Sequence, residues 1–524
     1  MRAIDTARAL LFATTLLCTL TAGCAGTDSG PRKDTLTIAT ANTADCIDPA
    51  QNLTANSSPF VRPLVDSLVY QSPVDGSLHP WLASSWSGNA SATEFTFVLR
   101  TDVTFSDGTP FDAAAVKATW DGIVALGAQA ATANSLLAGY VETVVSGQDT
   151  VTVRFSSPKS SFVQATSTTA LAPISPSAWS LAPQQRCAGK FAGTGPFTLE
   201  SIQGKERVSL VRRKDYRWGA APWQPGPAAL ARIDFQLVKE PGVQFDALSA
   251  GTVDAASGIS QRQIGSLPAD RYTTTRIQSP GIVYTITPNT TRGPLTDEAV
   301  RRALIAATDR RQLVGVALGG GPPSATSILA ANTPGYLELG GELAFDRNRA
   351  AALLDNAGWR PGPDGVRTKN GQRLSLAVTY PSIDQVNGPL LELLQQQWAQ
   401  SGIELKLRGL PVAELSPTQD AGDYDLLVFS QNRGDPDVLR TVFAAAGKNR
   451  ARITADDPLN VALDQQAAQS DTGKRSATVG QIQRTILERG LAVPLYETGS
   501  LVASDARLHG YSLDGSFHDT AWAT

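Results

Sequence analysis

The sequence predicts an α/β protein with mixed sheets, and three features of the chain support this fold class. The first part alternates apolar and polar residues over short runs, at 94–100 (EFTFVLR) and 151–155 (VTVRF), which is typical of half-buried antiparallel strands. The later part alternates strands with amphipathic helices, which favours parallel pairing. With 42% hydrophobic and 18% charged residues over 524 residues, the chain can bury a large core.

The chain begins with the layout of a secretory signal. Arg2 and Arg8 precede an apolar run at 9–20, which is too short to span a membrane and is followed by small residues up to Cys24. We therefore predict a signal peptide at 1–23. A Cys directly after small residues resembles a bacterial lipobox, so Cys24 is the predicted lipidation site, and 24–34 (CAGTDSGPRKD) is the predicted flexible tether. The lipobox usually has Leu three residues before the Cys, where this chain has Thr21, so an ordinary signal peptide with a chance Cys is the alternative.

Two cysteines remain once the signal and the lipidation site are set aside. Cys18 leaves with the signal peptide, so Cys46 and Cys187 form an even pair in an oxidising compartment. They are candidate disulfide partners, and a bond between them would close a loop of about 140 residues, worth at most roughly 4–5 kcal/mol of loop entropy. The sequence leaves open whether they are paired.

The first elements after the tether read as strands. Residues 36–39 (LTIA) predict the first strand, and 141–146 and 150–155 flank Gly147-Gln148-Asp149 as a predicted hairpin. This part of the chain is therefore expected to be antiparallel.

Helices and strands alternate farther along. Thr296 is the predicted N-cap of one helix, and Asp346 begins another that stops at Gly358. Three strands are predicted in this region, of which the last is a continuous apolar run typical of a buried strand, and they cover 374–380, 403–407 and 424–429.

Several function classes find no support in the sequence. The net charge is −3, which gives no electrostatic footprint for nucleic acid. The three histidines, His79, His509 and His518, are scattered, and no Cys or His cluster has metal-ligand spacing. The sequence has no nucleophile-elbow, zinc-protease or phosphate-loop motif, so we do not expect an enzyme.

Ordered sequence blocks over nearly the whole mature chain resemble one protein family. The chain is similar to the dipeptide- and oligopeptide-binding proteins of ABC importers, solute-binding protein family 5. The blocks that carry this resemblance are 78–86 (LHPWLASSW), 97–100 (FVLR), 105–113 (FSDGTPFDA), 193–197 (GTGPF), 247–254 (ALSAGTVD), 302–310 (RALIAATDR), 353–359 (LLDNAGW), 423–426 (DYDL) and 494–496 (PLY). Most of these blocks read as scaffold, with Asp309-Arg310 expected as a pair on a helix surface.

The resemblance implies a two-lobed periplasmic-binding-protein-like fold, with a cleft between the lobes and an extra inserted subdomain. Lobe one would combine 35–69, 191–283 and 493–524. The inserted subdomain would cover 70–190, and lobe two would cover 284–492. On this layout both Cys46 and Cys187 lie near lobe one.

The resemblance also suggests ligand-binding candidates. In peptide-binding relatives an Asp after the buried strand of lobe two holds the ligand's α-ammonium, and Asn432 occupies that position here, followed by Arg433. A neutral amide cannot supply the charge that a buried ammonium needs. Three explanations stay open. Asp435 or Asp437 supplies the negative charge instead, the ligand lacks a free ammonium, or the alignment that places Asn432 at this position is shifted by one or more residues. Family position adds Asn42, the segment 193–196 and Tyr284 as residues facing the cleft.

The function that the resemblance implies is binding by hinge closure, not catalysis. We expect an extracytoplasmic lipoprotein, anchored to the cell membrane by its lipid, that captures a peptide or peptide-like solute and delivers it to an ABC permease. It would act as a monomer with no cofactor of its own, because the partner ATPase uses the ATP. A ligand-sensing partner protein without a transport role is the alternative, followed by a secreted hydrolase.

Overall fold

The structure is a computed structural model that describes residues 34–52, 58–382 and 387–523. The predicted signal peptide at 1–23, Cys24 and all but the last residue of the tether lie outside the described residues. Asp34–Ala523 forms one compact unit, and three larger sheets organise it.

The first sheet has seven strands and includes the strand predicted at 36–39. That strand, Thr35–Thr40, lies near the centre and runs parallel to both neighbours, so the expectation that the first part of the chain is antiparallel is wrong for this strand. The other pairs of the sheet are antiparallel. In spatial order the strands are Tyr272–Gln278, Gly499–Asp505, Ala255–Ser257, Thr35–Thr40, Arg232–Leu237, Arg207–Arg212 and Phe197–Gln203. We call this the lobe-one sheet.

The second sheet has five strands and contains the three strands predicted in the later part of the chain. Ser375–Pro381 is parallel to both of its neighbours, which confirms the predicted parallel pairing. In spatial order the strands are Glu404–Leu410, Ser375–Pro381, Leu426–Asn432, Gly281–Pro288 and Val493–Tyr496. This lobe-two sheet therefore extends beyond the predicted 284–492 at both ends, because Gly281–Pro288 pairs with Val493–Tyr496.

The third sheet is antiparallel throughout and belongs to the predicted insertion at 70–190. Its strands, in spatial order, are Ala83–Gly88, Glu94–Leu99, Thr150–Phe155 and Tyr140–Ser146, and the last two form the predicted hairpin. Phe97, Trp120 and Phe162 pack beneath the sheet in one buried aromatic cluster. Trp120 lies on the helix Ala113–Leu126, where the side chain of Asp112 caps the first turn.

Helices cover the lobe-two sheet and complete its core. The longer ones are Glu298–Ala306, Arg347–Asn356, Asn387–Ala399, Val412–Ala421, Pro458–Ala468 and Thr472–Glu488. Asp297, and not the predicted Thr296, caps Glu298–Ala306, because Thr296 closes the preceding 3₁₀ turn by donating to the carbonyl of Gly293. Asp309 caps a short helix, and Arg310 is buried and donates to backbone carbonyls, so these two residues are not the surface pair that the sequence suggested.

Shorter helices and strands complete the described chain. The helices are Ser58–Val61, Ala131–Leu136, Phe162–Ala165, Pro183–Cys187, Pro241–Ser249, Gln261–Ile264, Arg310–Gln312 and Val438–Phe443. The strands are Val69–Gln71, Leu78–Pro80, Arg360–Pro361, Arg367–Lys369, Gln372–Arg373, Leu508–His509 and Ala521–Trp522.

The lobe-one and lobe-two sheets are joined by two adjacent chain crossings. One connects Tyr272–Gln278 to Gly281–Pro288, and the other connects Val493–Tyr496 to Gly499–Asp505. The backbone N–H of Ser279 donates to the carbonyl of Thr498 at 3.0 Å, so the crossings run side by side. Two short connections that run side by side between two sheets are the geometry of a hinge.

A disulfide and a buried ion pair fasten the loop after the first strand to the end of the insertion. Cys46 and Cys187 are bonded, with an S–S distance of 2.00 Å across a sequence separation of 141. Beside them the Arg186 guanidinium donates to the carboxylate of Asp48 at 2.8 Å, and both side chains are buried. The bond joins the two cysteines that remained after the signal and Cys24 were set aside.

Candidate functional site

A cavity of about 680 Å³ lies where the lobe-one sheet, the lobe-two sheet and the insertion meet. Thr40, Asn42 and Ser257 line it from lobe one, and Asn432 lines it from the end of a lobe-two strand. The insertion contributes lining residues at 70–73, 164 and 167–169. The volume is within the usual range for small-ligand sites, and we call this space the cleft cavity.

The hinge itself forms part of the cavity wall. Gln278, Ser279 and Pro280, the residues of the first crossing, all line the cleft cavity. The side chain of Gln278 also donates to the carboxylate of Glu497, which lies at the second crossing. A ligand in this cavity would therefore contact both lobes and the segment about which they move.

The described lining residues of the cleft cavity carry one cation, Arg62, and one carboxylate, Asp514. Arg62 donates to the hydroxyl of Ser67 at 3.0 Å and to the carbonyl of Ser167 at 2.8 Å. Its guanidinium carbon lies 5.4 Å from the ring centre of Trp81, within cation–π range. Burial lowers the pKa of Arg62, and the carboxylates of Asp514 and Asp66 oppose that change.

Asp514 lies in the C-terminal tail and is held by its own loop. One of its carboxylate oxygens accepts hydrogen bonds from the hydroxyls of Ser512 and Ser516 at 2.5 and 2.7 Å, and from the backbone N–H of Ser516. Burial raises the pKa of Tyr70, and the neighbouring Asp514 carboxylate raises it further. Tyr70 therefore stays a neutral hydroxyl on the cavity wall.

A second carboxylate lies beneath the cavity wall. Asp66 is 0% exposed, and it accepts hydrogen bonds from the indole N–H of Trp218 at 2.9 Å and the hydroxyl of Tyr216 at 3.3 Å. Burial raises the pKa of Asp66 to about 6, against the opposing effect of the Trp218 hydrogen bond and the Arg62 charge. The Asp66 charge in turn opposes the lowering of the pKa of Arg62 by burial.

Amide side chains supply much of the remaining polarity of the cavity. Asn332, which is 4% exposed, donates to the carbonyls of Pro73 and Gln278, both at 3.2 Å. It thus ties lobe two to the insertion and to the hinge at once. Amides can donate and accept, so such a wall suits a solute rich in hydrogen-bonding groups.

Two of the ligand-binding candidates from the sequence line the cleft cavity. Asn42 follows the first strand, and Asn432 ends a lobe-two strand, so the cavity brings together residues that are 390 positions apart in sequence. The structure places Tyr284 elsewhere, which corrects the expectation that it faces the cleft. Tyr284 lies in the lobe-two core, stacked on Tyr496 with ring centres 4.9 Å apart. Every residue of its strand, Gly281–Pro288, is buried.

The acidic candidates after Asn432 are also committed to other contacts. Asp435 accepts two hydrogen bonds from Arg475, at 2.6 and 2.9 Å, and both side chains are largely buried. Asp437 pairs with Arg440 at 2.7 Å. Neither carboxylate is among the described lining residues of the cleft cavity, so neither replaces the charge that Asn432 lacks.

Arg433 and the glycine-rich segment also have positions that differ from the family-based expectation. Arg433 is half-buried, burial lowers its pKa, and the described lining residues of the cleft cavity do not include it. The segment 193–196 packs against the backbone at 63–65, where a Cβ on Gly193 would lie 2.1 Å from the carbonyl oxygen of Leu64. Its glycines are needed for that close approach.

Sequence reasoning missed Arg62, Asn332 and Asp514. Arg62 is preceded by a short helix and followed by Pro63, and nothing in its local pattern separates it from a surface Arg. Asp514 lies in a Ser- and Gly-rich tail, whose Asp-Gly pair predicts only a turn. The family layout gives one partial indication, because it assigns the C-terminal tail that contains Asp514 to lobe one.

A second cavity, of about 570 Å³, adjoins the first between the insertion and lobe two. Gln71, Gly76 and Gln164 line both cavities. The apolar residues that line the second cavity include Leu78, Trp86, Phe95, Val163, Pro334 and Val479, and the Asp435–Arg475 pair lies in its wall. We call this space the side cavity.

Metal-ligating clusters and membrane-spanning helices are both absent from the described residues. No group of three or more His, Cys, Asp or Glu side chains is placed to hold a metal ion within the described part of the chain. Among the helices of the same residues, none is long and apolar enough to cross a membrane.

Comparison with known proteins identifies the class to which this two-lobed architecture belongs. The family model described as "Bacterial extracellular solute-binding proteins, family 5 Middle" matches residues 77–451. The chain belongs to this family, and it is an extracytoplasmic solute-binding protein of the ABC-importer type.

Individual relatives agree with this placement. Protein XP55 of Streptomyces lividans is 30% identical over 75% of this chain and 71% of its own length. The nickel-binding periplasmic protein of Escherichia coli (strain K12) is 26% identical over 84% of this chain and 83% of its own length. Among solved structures, NikA from Brucella suis in complex with Fe(III)-EDTA has a TM-score of 0.79 at 25% identity, covering 93% of this chain and 99% of NikA.

Proposed function

We propose that this chain captures a small peptide or peptide-like solute in the cleft cavity by closing its two lobes, and delivers that solute to a membrane permease. The observation that carries the proposal is the composition of the cavity wall, which draws on both sheets, the insertion and the hinge. A solute held there bridges the lobes, so its binding energy favours the closed form over the open one.

The charges of the cleft cavity favour a solute without net charge. Arg62 and Asp514 offset one another, and Asn432 is neutral, so a ligand with an excess charge would lose its hydration without a matching partner. Asp435 and Asp437 are bound to Arg475 and Arg440, and so they do not offer a carboxylate to a free α-ammonium. Simple dipeptides with free amino termini should therefore bind poorly.

The decisive experiment is mass spectrometry of solutes that co-purify with the natively folded protein, followed by calorimetry with a panel of synthetic peptides. We expect a neutral or internally paired, hydrogen-bond-rich solute, and dissociation constants for simple dipeptides well above micromolar. Recovery of no solute, together with no binding across the panel, would contradict the proposed function. Micromolar binding of plain dipeptides would contradict the ligand class alone.

We further propose that Cys24 carries a lipid that holds the mature protein on the extracytoplasmic face of the cell membrane. The small residues before Cys24 and the polar tether after it support this reading. Metabolic labelling with a palmitate analogue should mark the wild type, and Cys24→Ser should lose the label and appear in the soluble fraction. Equal membrane association of both proteins would refute the anchor.

The remaining partners follow from the same proposal. A monomer would dock on permease and ATPase subunits, with ATP used by the partner and no cofactor bound by this chain. Deleting the gene should abolish uptake of the co-purified solute if the role is transport. Normal uptake combined with a lost transcriptional response would instead favour the sensor role.

A further inference from the structure

The partition between the cleft cavity and the side cavity is made of polar side chains instead of packed core. Gln164 donates through its amide nitrogen to the side-chain oxygen of Gln71 at 2.9 Å, and Gln71 donates to the carbonyl of Gly434 at 2.8 Å. Both glutamines line both cavities. Long side chains joined only by hydrogen bonds can change rotamer and part, whereas a packed apolar layer resists such movement.

Glycine is required at the point where lobe two meets this partition. A Cβ at Gly434 would lie 2.3 Å from the side-chain oxygen of Gln71 and 2.5 Å from the amide nitrogen of Gln164. The glutamine pair is therefore fitted against lobe-two backbone. Separation of the lobes would remove the contact with Gly434 and free the glutamines on that side.

The side cavity beyond the partition differs in chemistry from the cleft cavity. Leu78, Trp86, Phe95 and Val163 of the insertion and Val479 of lobe two form apolar walls. The charged groups in its wall, Asp435 and Arg475, neutralise each other through a two-bond ion pair, and Arg475 also donates to the side-chain oxygen of Gln466. Such a site accommodates aliphatic or aromatic groups, and it offers no unpaired charge to a polar ligand.

We propose that the side cavity is a second compartment of the binding site, which receives an apolar aliphatic or aromatic portion of the solute when the Gln71–Gln164 pair parts. This inference rests on the proposed function, and it deepens it by specifying the solute class. The solute is elongated and amphipathic, with a hydrogen-bonding portion in the cleft cavity and an apolar end beside Trp86. The glutamine amides line the neck between the two portions.

The test fills the side cavity without altering the cleft cavity. Ser476 is an exposed residue of the helix Thr472–Glu488 that lines the side cavity, and Ala477 is its exposed neighbour, which is not among the described lining residues. Ser476→Trp should occupy the compartment, and Ala477→Trp is the matched control for folding and surface change. Ser500→Trp obstructs the cleft cavity from an exposed lining position.

Mass spectrometry of co-purified solutes compares these variants directly. We expect Ser476→Trp to retain solutes that are shorter or less apolar than those of the wild type, or to lose at least tenfold in affinity, while Ala477→Trp matches the wild type. Identical solutes and affinities in Ser476→Trp and the wild type would overturn the second compartment and leave the proposed function intact. Absence of solute from every protein, including the wild type, together with no binding across the synthetic panel, would overturn the proposed function and with it the solute role of the compartment.

An apolar dye provides a second readout that does not depend on the natural solute. Titration with 1-anilinonaphthalene-8-sulfonate should show saturable fluorescence in the wild type, in Ala477→Trp and in Ser500→Trp. Ser476→Trp should weaken dye binding at least tenfold. Unchanged dye binding in Ser476→Trp, or a loss confined to Ser500→Trp, would place the apolar site elsewhere and overturn the proposal.

Discussion

Removing the disulfide between Cys46 and Cys187 tests how the cleft-facing loop of lobe one is held. The bond closes a loop across 141 residues. The loop-entropy relation gives about 5 kcal/mol at 25 °C for a loop of this length, as an upper value for the stabilisation. The buried Asp48–Arg186 pair joins the same two segments and remains after the bond is removed. We therefore expect Cys46→Ser with Cys187→Ser to lower the free energy of unfolding by about 2–5 kcal/mol.

Urea unfolding followed by tryptophan fluorescence measures this effect, since Trp179 and Trp522 report on the lobe-one core. Adding a reductant should destabilise the wild type by a similar amount and leave the double variant unchanged. A difference below about 1 kcal/mol, or a wild type that is insensitive to reductant, would refute the reasoning. Asn42 lines the cleft cavity just four residues before Cys46, so the variant should also bind solute more weakly.

Three further predictions concern the hinge, the buried carboxylate and the cavity cation. Gly281→Ala should lower the free energy of unfolding by about 2–4 kcal/mol, because φ is +108° and the new Cβ would lie 2.3 Å from the carbonyl oxygen of Gln431. Gly242→Ala, with no atom within 4 Å of the new Cβ, is its control, and an equal thermal shift in both variants would contradict the prediction. Burial raises the pKa of Asp66 from 3.8 to about 6, so the folded state binds this proton more tightly than the unfolded state does. Protonated Asp66 therefore contributes its full stabilisation below pH 3.8, and about 3 kcal/mol of stability is lost as the pH rises through 6. Unfolding of the wild type and Asp66→Asn from pH 3.5 to 7 should show that difference, and parallel pH profiles would count against it. Arg62→Met should lower the affinity for the co-purified solute at least tenfold, measured by calorimetry, and Arg62→Lys should have an intermediate affinity. Unchanged affinity in Arg62→Met would exclude Arg62 from ligand contact.

Local pattern predicted the secondary structure well where one face of an element is buried. The strands Glu94–Leu99 and Thr150–Phe155 follow the period-two alternation, because each turns one face toward the aromatic core and one toward solvent. The boundary near residue 493 was harder to predict. Val493–Tyr496 pairs with Gly281–Pro288 in the lobe-two sheet, and the following strand crosses into lobe one two residues later. The local sequence pattern does not indicate which distant strand a given strand pairs with.

The candidate site was predictable only where the family layout constrains it. Asn42 follows one strand and Asn432 ends another, and the structure places both at the cleft. Tyr284 lies on a strand that is buried along its whole length, so its side chain packs in the lobe-two core instead. Its ring partner Tyr496 is distant in sequence, so the local pattern does not reveal that burial.

The amino-acid sequence alone is enough to identify the family, to predict the export signal with Cys24, and to leave Cys46 and Cys187 as the candidate disulfide pair. These features depend on local composition or on ordered blocks along one chain. Which charges line the cleft cavity depends instead on the tertiary fold. Arg62 and Asp514 are separated by 452 positions, and they share one cavity because the C-terminal tail returns to lobe one. Asp435 and Asp437 lie close to Asn432 in sequence, yet Arg475 and Arg440 hold them in ion pairs away from the cleft cavity. Whether a carboxylate is available to a ligand depends on the partners that surround it in space, and adjacency in sequence does not reveal them.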